Sequence, residues 1–165
     1  MQNPTDETGH HTLDIPVGAG SEAVYLLNVG TGELPESARF LEVTKESHLL
    51  LEDAAISHDG SRFAAVAGFI VNLWDGEASE WAVLGASRFL RQVVFGPSGR
   101  LLATIAIGES GLPEDSNLLL WNINTQKLAA TLPISDLYTI RFSPDGRYIG
   151  GIGLGDPVVR VWGVP

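Results

Sequence analysis

The residues of this chain whose types and spacing could support chemistry fall in three places. Ser57, His58 and Asp59 supply the nucleophile, base and acid of a hydrolytic triad, but in consecutive positions. A triad works through spatial geometry and neighbouring residues point in different directions, so this run predicts a turn rather than catalysis. His10 and His11, near Asp6 and Glu7, are metal-ligand types. Adjacent histidines chelate poorly from an extended segment, and no metal is assigned to them. The run GGIGLGD at 150 to 156 has the glycines of a dinucleotide loop, a fingerprint that requires a strand before it and a helix after it. Here Val158 to Val164 has the pattern of another strand, so no nucleotide is expected. The four histidines are scattered rather than convergent, and the reading predicts no enzyme, no catalytic residue and no cofactor.

Composition narrows the remaining classes. With 165 residues, 44% of them hydrophobic, the chain can bury a core of one domain. Twenty acids against ten bases give a net charge of −10 with no clustered Lys/Arg run, which repels a phosphate backbone and predicts no nucleic-acid binding. No apolar run reaches the ~18 residues of a membrane span, so no membrane partner is expected. The opening MQNPTDETGHH is unlike a signal peptide, and cytoplasm is the default compartment. Cysteine is absent, so disulfides and thiolate metal sites are unavailable.

The elements that must position any site come from an internal repeat. ISHDG at 56 to 60 precedes LWD at 73 to 75, FGPSG at 95 to 99 precedes LWN at 120 to 122, and FSPDG at 142 to 146 precedes VWG at 161 to 163. The tryptophans are 47 and 41 residues apart, and the longer interval contains the extra polar stretch GESGLPEDS at 108 to 116. A fainter copy lies upstream, where YLLNVGTGEL at 25 to 34 aligns with LLWNINTQKL at 119 to 128. In the third copy the strands fall at 91–95, 101–107, 117–123 and 128–132, each an apolar run bounded by turn residues. Asp59-Gly60, Ser98-Gly99 and Asp145-Gly146 form the first hairpin of each copy. Leu118 to Trp121 is apolar on both faces, as in a sheet sandwiched between sheets. No segment between strands has the length and period of a crossover helix except 36 to 46, read as a strand over Phe40 to Val43.

An Asp-Gly turn early and a Trp-Asp-like pair late, at a period of about 40 to 45 residues, resembles the WD-repeat family. The resemblance covers about residues 12 to 165. It implies an all-β fold, a β-propeller arc of about four antiparallel four-stranded blades, after a flexible tail at 1 to 11. The blades fall at about 12 to 46, 47 to 86, 87 to 133 and 134 to 165. The first supplies only strands b, c and d (Thr12 to Val17, Ala23 to Val29, Arg39 to Val43), and the last ends after strand c. Three explanations stay open: a fragment of a longer protein, a half-ring that pairs with a second chain, or a small ring closed by the first eleven residues. Open strand edges invite partners, and Lys45 and Lys127 are the chain's only lysines to guard them.

In that family a His, a Ser/Thr, an Asp and the Trp form a hydrogen-bonded set. Here Ala86 and Pro133 stand at two of the His positions and His48 lies one residue from the third. Trp74, Trp121 and Trp162, with Asp75 and Asn122 beside the first two, therefore read as packing and repeat residues, and Asp156 as a local turn carboxylate. The resemblance further implies a non-catalytic scaffold that grips a protein or peptide on the face carrying the d–a and b–c loops. On that face lie Arg88, Phe89, Glu109, Glu114, Asp115, Asp136, Leu137 and Asp156. Arg and Phe are interface types, and the three loop acids suit a basic peptide.

Overall fold

The computed structural model describes residues 51–75, 82–108, 116–134, 136–153 and 158–164, together with two short upstream strands. The chain divides into two compact units, Met1–His48 and Leu49–Pro165. In the first, β1 (Ala23–Val24) pairs antiparallel with β2 (Leu41–Glu42), inside the segments expected as strands c and d. The strand expected at Thr12 to Val17 and the tail at 1 to 11 lie outside the described residues.

The second unit is all-β, with no helix among the described residues. Its first sheet runs in order through β3 (Leu51–Ile56), β4 (Arg62–Ala67), β5 (Ile70–Asp75) and β6 (Ala82–Gly85). The second runs through β7 (Phe89–Phe95), β8 (Leu101–Ile107), β9 (Asn117–Asn122) and β10 (Lys127–Pro133). The third has β11 (Leu137–Phe142), β12 (Tyr148–Gly153) and β13 (Val159–Gly163). Every described strand pairing is antiparallel.

Turn chemistry sets the first hairpin of each sheet. Gly60, Gly99 and Gly146 adopt φ of 72°, 66° and 71°, a left-handed conformation that a side chain resists. In the first and third turns a serine and an aspartate complete the loop: Ser57 Oγ donates to Asp59 Oδ1 at 2.6 Å, and Ser143 Oγ donates to Asp145 Oδ1 at 2.6 Å. The same hydroxyls accept from the amides of Arg62 and Tyr148. Ser57-His58-Asp59 is thus a turn in which the serine serves the aspartate directly.

Strand alternation then sends two apolar rows from each sheet in opposite directions. Ala64, Val66, Val71 and Leu73 of the first sheet pack with Leu102, Ala106, Leu119 and Trp121 of the second. Ala103, Ile105, Leu118 and Leu120 on its other face pack with Leu137, Ile140 and Ile149 of the third. Trp121 is buried, and its indole Nε1 donates to the buried Thr104 Oγ1 at 3.0 Å. Aligned on the turn glycines, Val66 and Ile105 correspond to Ile152, Val71 and Leu118 to Val159, and Leu73 and Leu120 to Val161. The first two of each set are 0 to 4% exposed, whereas Ile152, Val159 and Val161 are 42, 64 and 62% exposed.

Candidate functional site

The first strands of the three sheets lie side by side, and a polar clasp joins them. Asp53 Oδ2 in β3 accepts from the Val93 amide in β7 at 3.0 Å, and Gln92 Oε1 in β7 accepts from the Ile140 amide in β11 at 2.8 Å. Asp53 and Gln92 occupy the same repeat position, four residues before the start of the turn. Gln92 Nε2 also donates to Thr139 Oγ1, the third member of that position.

One residue earlier, each first strand has the same irregularity. The pairing register shifts between Leu51 and Asp53, between Leu90 and Gln92, and between Leu137 and Thr139. Glu52, Arg91 and Tyr138 are therefore equivalent bulge residues on three adjacent strands. A bulge breaks the ladder locally and re-aims a side chain, and such features concentrate near functional sites. Glu52 and Tyr138 are exposed and Arg91 is half-buried, with its guanidinium 4.7 Å from the centre of the Tyr138 ring. That distance suits a cation–π contact.

At the same end of β7, Phe89 meets Phe69 edge to face with ring centroids 5.8 Å apart. Phe69 belongs to the tight β4–β5 turn, which is fixed to the second sheet by the Leu90 amide donating to Gly68 O at 2.7 Å. Phe69 is 47% exposed, so the pair offers an apolar edge to solvent. Arg88 precedes it and is half-buried.

Of the expected partner residues, Arg88, Phe89 and Asp136 lie at this end, where β7 and β11 begin. Leu137 does not serve that surface: it is 1% exposed and packs in the core beside Ile140 and Ile149. It holds the place of Leu90 at the start of its strand, where the alternation turns the side chain inward. Asp136 has φ of 61°, and a Cβ on Gly153 would come within 2.6 Å of its carbonyl oxygen. Glu109, Glu114, Asp115 and Asp156 lie outside the described residues. Ser116, expected as the end of a surface insertion, is buried, and its carbonyl accepts from the Ile134 amide.

The opposite end of the first strands holds a groove of about 700 Å³ lined by Ile56, His58, Phe95, Pro97, Arg141 and Phe142 among others. Arg141 Nη1 is turned onto its own strand, donating to Ile140 O at 2.7 Å. Among the described residues no three His, Cys, Asp or Glu side chains gather as a metal cluster. Gly151 answers to packing: a Cβ there would lie 2.7 Å from Leu137 Cδ1 and 3.1 Å from the Trp162 ring. Asp75 pairs with Arg62 at 3.2 Å, and Arg62 reaches the Gly99 carbonyl of the next sheet. Asn122 Oδ1 accepts from the Thr125 amide in its turn.

Among the described residues, the two turn aspartates are the titratable groups with altered acidity. Ser57 and Ser61, donating to Asp59, lower its pKa from the ordinary 3.8 to about 2. Ser143 and the Arg147 amide lower that of Asp145. Both groups serve turns.

No family model matches the sequence, and no curated protein matches it. In three dimensions the chain is similar to a chain of hydrazine synthase from Kuenenia stuttgartiensis, with a TM-score of 0.60 at 17% identity. The similarity covers 78% of this chain and 37% of that one, so this chain corresponds to little more than a third of its length. At this identity the shared property is the fold alone.

Proposed function

We propose that the chain is a WD-repeat-like β-propeller arc that works as a non-catalytic module for binding a protein or peptide, with the bulged end of its first strands as the contact surface. The observation that carries this reading is the repeated bulge. Three equivalent positions hold Glu52, Arg91 and Tyr138 on neighbouring strands, beside the partly exposed Phe69–Phe89 pair. Arg and Tyr are enriched at interface hot spots, and a rigid sheet edge that presents them costs little ordering on binding. The arc reading draws on the order of strands within each sheet and on the adjacency of β3, β7 and β11. Glu109, Glu114 and Asp115 add the expectation of a basic partner segment, and the cytoplasm remains the expected compartment.

Affinity capture with the intact chain, compared with Arg91→Ala and Tyr138→Ala, tests the proposal. A partner retained by the wild type and lost by both variants, with unchanged circular dichroism, supports it. Retention by both variants, or no specific partner for any form, counts against it.

A further inference from the structure

The groove at the turn end of the first strands is apolar along its floor and basic at one side, and we infer that it binds a small organic acid, a carboxylate carried on an aromatic or aliphatic body. It lies at the opposite end of these strands from the bulges, so it is separate from the partner surface proposed above. Ile56, Phe95 and Phe142 end β3, β7 and β11, each four residues before its turn glycine, and give the groove its apolar lining. Ile56 is 54% exposed there. A volume of about 700 Å³ is that of a small-molecule pocket.

One residue earlier the repeat has Ala55, Val94 and Arg141, so a guanidinium stands where the other two copies are apolar. Its Nη1 donates to Ile140 O at 2.7 Å and to Thr139 Oγ1 at 3.4 Å, which fixes the group against its own strand. No carboxylate pairs with it among the described residues, and Nε and Nη2 keep the parallel N–H pair that takes a carboxylate side-on. His58 is the other nitrogen base of the lining, which contains no Asp or Glu. The acids of the adjoining turns are already engaged: Asp59 accepts from Ser57 and Ser61, and Asp145 from Ser143 and the Arg147 amide. A chain of net charge −10 repels anions at long range, so an anion held here needs the guanidinium and the apolar contact together. The turns that frame the groove are fastened to one another. Arg62 Nη1 donates to Gly99 O at 2.8 Å, and a Cβ on Gly146 would lie 3.3 Å from Pro97 Cδ. A frame fixed in advance leaves little ordering to oppose binding.

Amide chemical shifts of the intact chain, titrated with phenylpropionate and octanoate and, as controls, with phenylpropanamide and phenylpropylamine, test the inference. At least one of the two acids should give saturable shifts centred on the amides of Ile56, Phe95 and Phe142, with affinity in about the millimolar range for so small a ligand. The amide should bind about tenfold more weakly and the amine not at all. Arg141→Gln should weaken the acid by about tenfold, whereas Arg147→Gln, a neighbouring arginine outside the lining, should leave it unchanged. Ile56→Glu places a carboxylate in the groove at an exposed position and should abolish binding, which decides the matter should Arg141→Gln fail to fold. Equal binding of acid and amide, full binding by Arg141→Gln or Ile56→Glu, or no response at these amides to either acid at about 10 mM overturns the inference. So does a peptide with an internal aspartate that shifts these amides where both small acids do not.

Discussion

Leu118 and Leu120 in β9 and Val159 and Val161 in β13 hold the same places in their sheets, yet the first pair is buried and the second mostly exposed. The strands have the same apolar character and the same position after their turn. What differs is the neighbour: the middle sheet is covered on both faces, and the last on one. In a stacked repeat, burial is a property of the stack, and each unit carries apolar residues for neighbours on both sides. The energetic weight of a residue therefore depends on which sheet it occupies more than on its type.

The largest effect should come from Trp121→Ala. The side chain is buried between two sheets and its indole bonds to Thr104, so its loss should cost about 3 to 5 kcal/mol. Trp162→Ala, at the equivalent but only half-buried place, should cost clearly less. Equal shifts in a urea melt would break the comparison.

The clasp between first strands should rank next. Gln92→Ala leaves the buried Ile140 amide without its acceptor and should cost about 1 to 3 kcal/mol. Gln92→Glu keeps an acceptor of the kind Asp53 supplies one sheet earlier, and should recover most of that loss. Thermal melts of the two variants that coincide would show that the clasp is not what matters there.

The smallest effect concerns acid. Asp59 is more acidic in the fold than in an unfolded chain, so its contribution is complete above the ordinary 3.8 and is lost as pH falls toward about 2. Asp145 follows the same direction, whereas the middle turn has Ser98 in this place. The stability difference between wild type and Asp59→Asn should therefore close across that window. A difference that stays constant down to the lower limit would contradict the assigned bonds.

Much of this was legible in the chain itself, for identifiable reasons. The three turns and the tryptophan strands repeat, and the all-apolar run Leu118 to Trp121 reads directly as a doubly covered strand. The bulges at Glu52, Arg91 and Tyr138 were not legible, because a bulge is a mismatch between two paired strands and neither strand alone records it. Leu137 reads as a surface residue because it falls, with Ser135 and Asp136, in the loop expected between the second and third sheets. The signal that corrects it was present: Leu137 stands at the same offset before its turn as Leu90, which is also buried. The burial of Thr104 was not legible, because a polar residue in an apolar run is readable only once its partner, here the Trp121 indole, is known.

The most direct test of the account is a pair of urea denaturations at low protein concentration, Leu120→Ala against Val161→Ala. The account predicts a loss of about 2 to 5 kcal/mol for the first, as for a filled core position, and within about 0.5 kcal/mol for the second, as for a surface one. Equal losses would show that the two sheets are covered alike, and that the open face of the third sheet does not exist in solution.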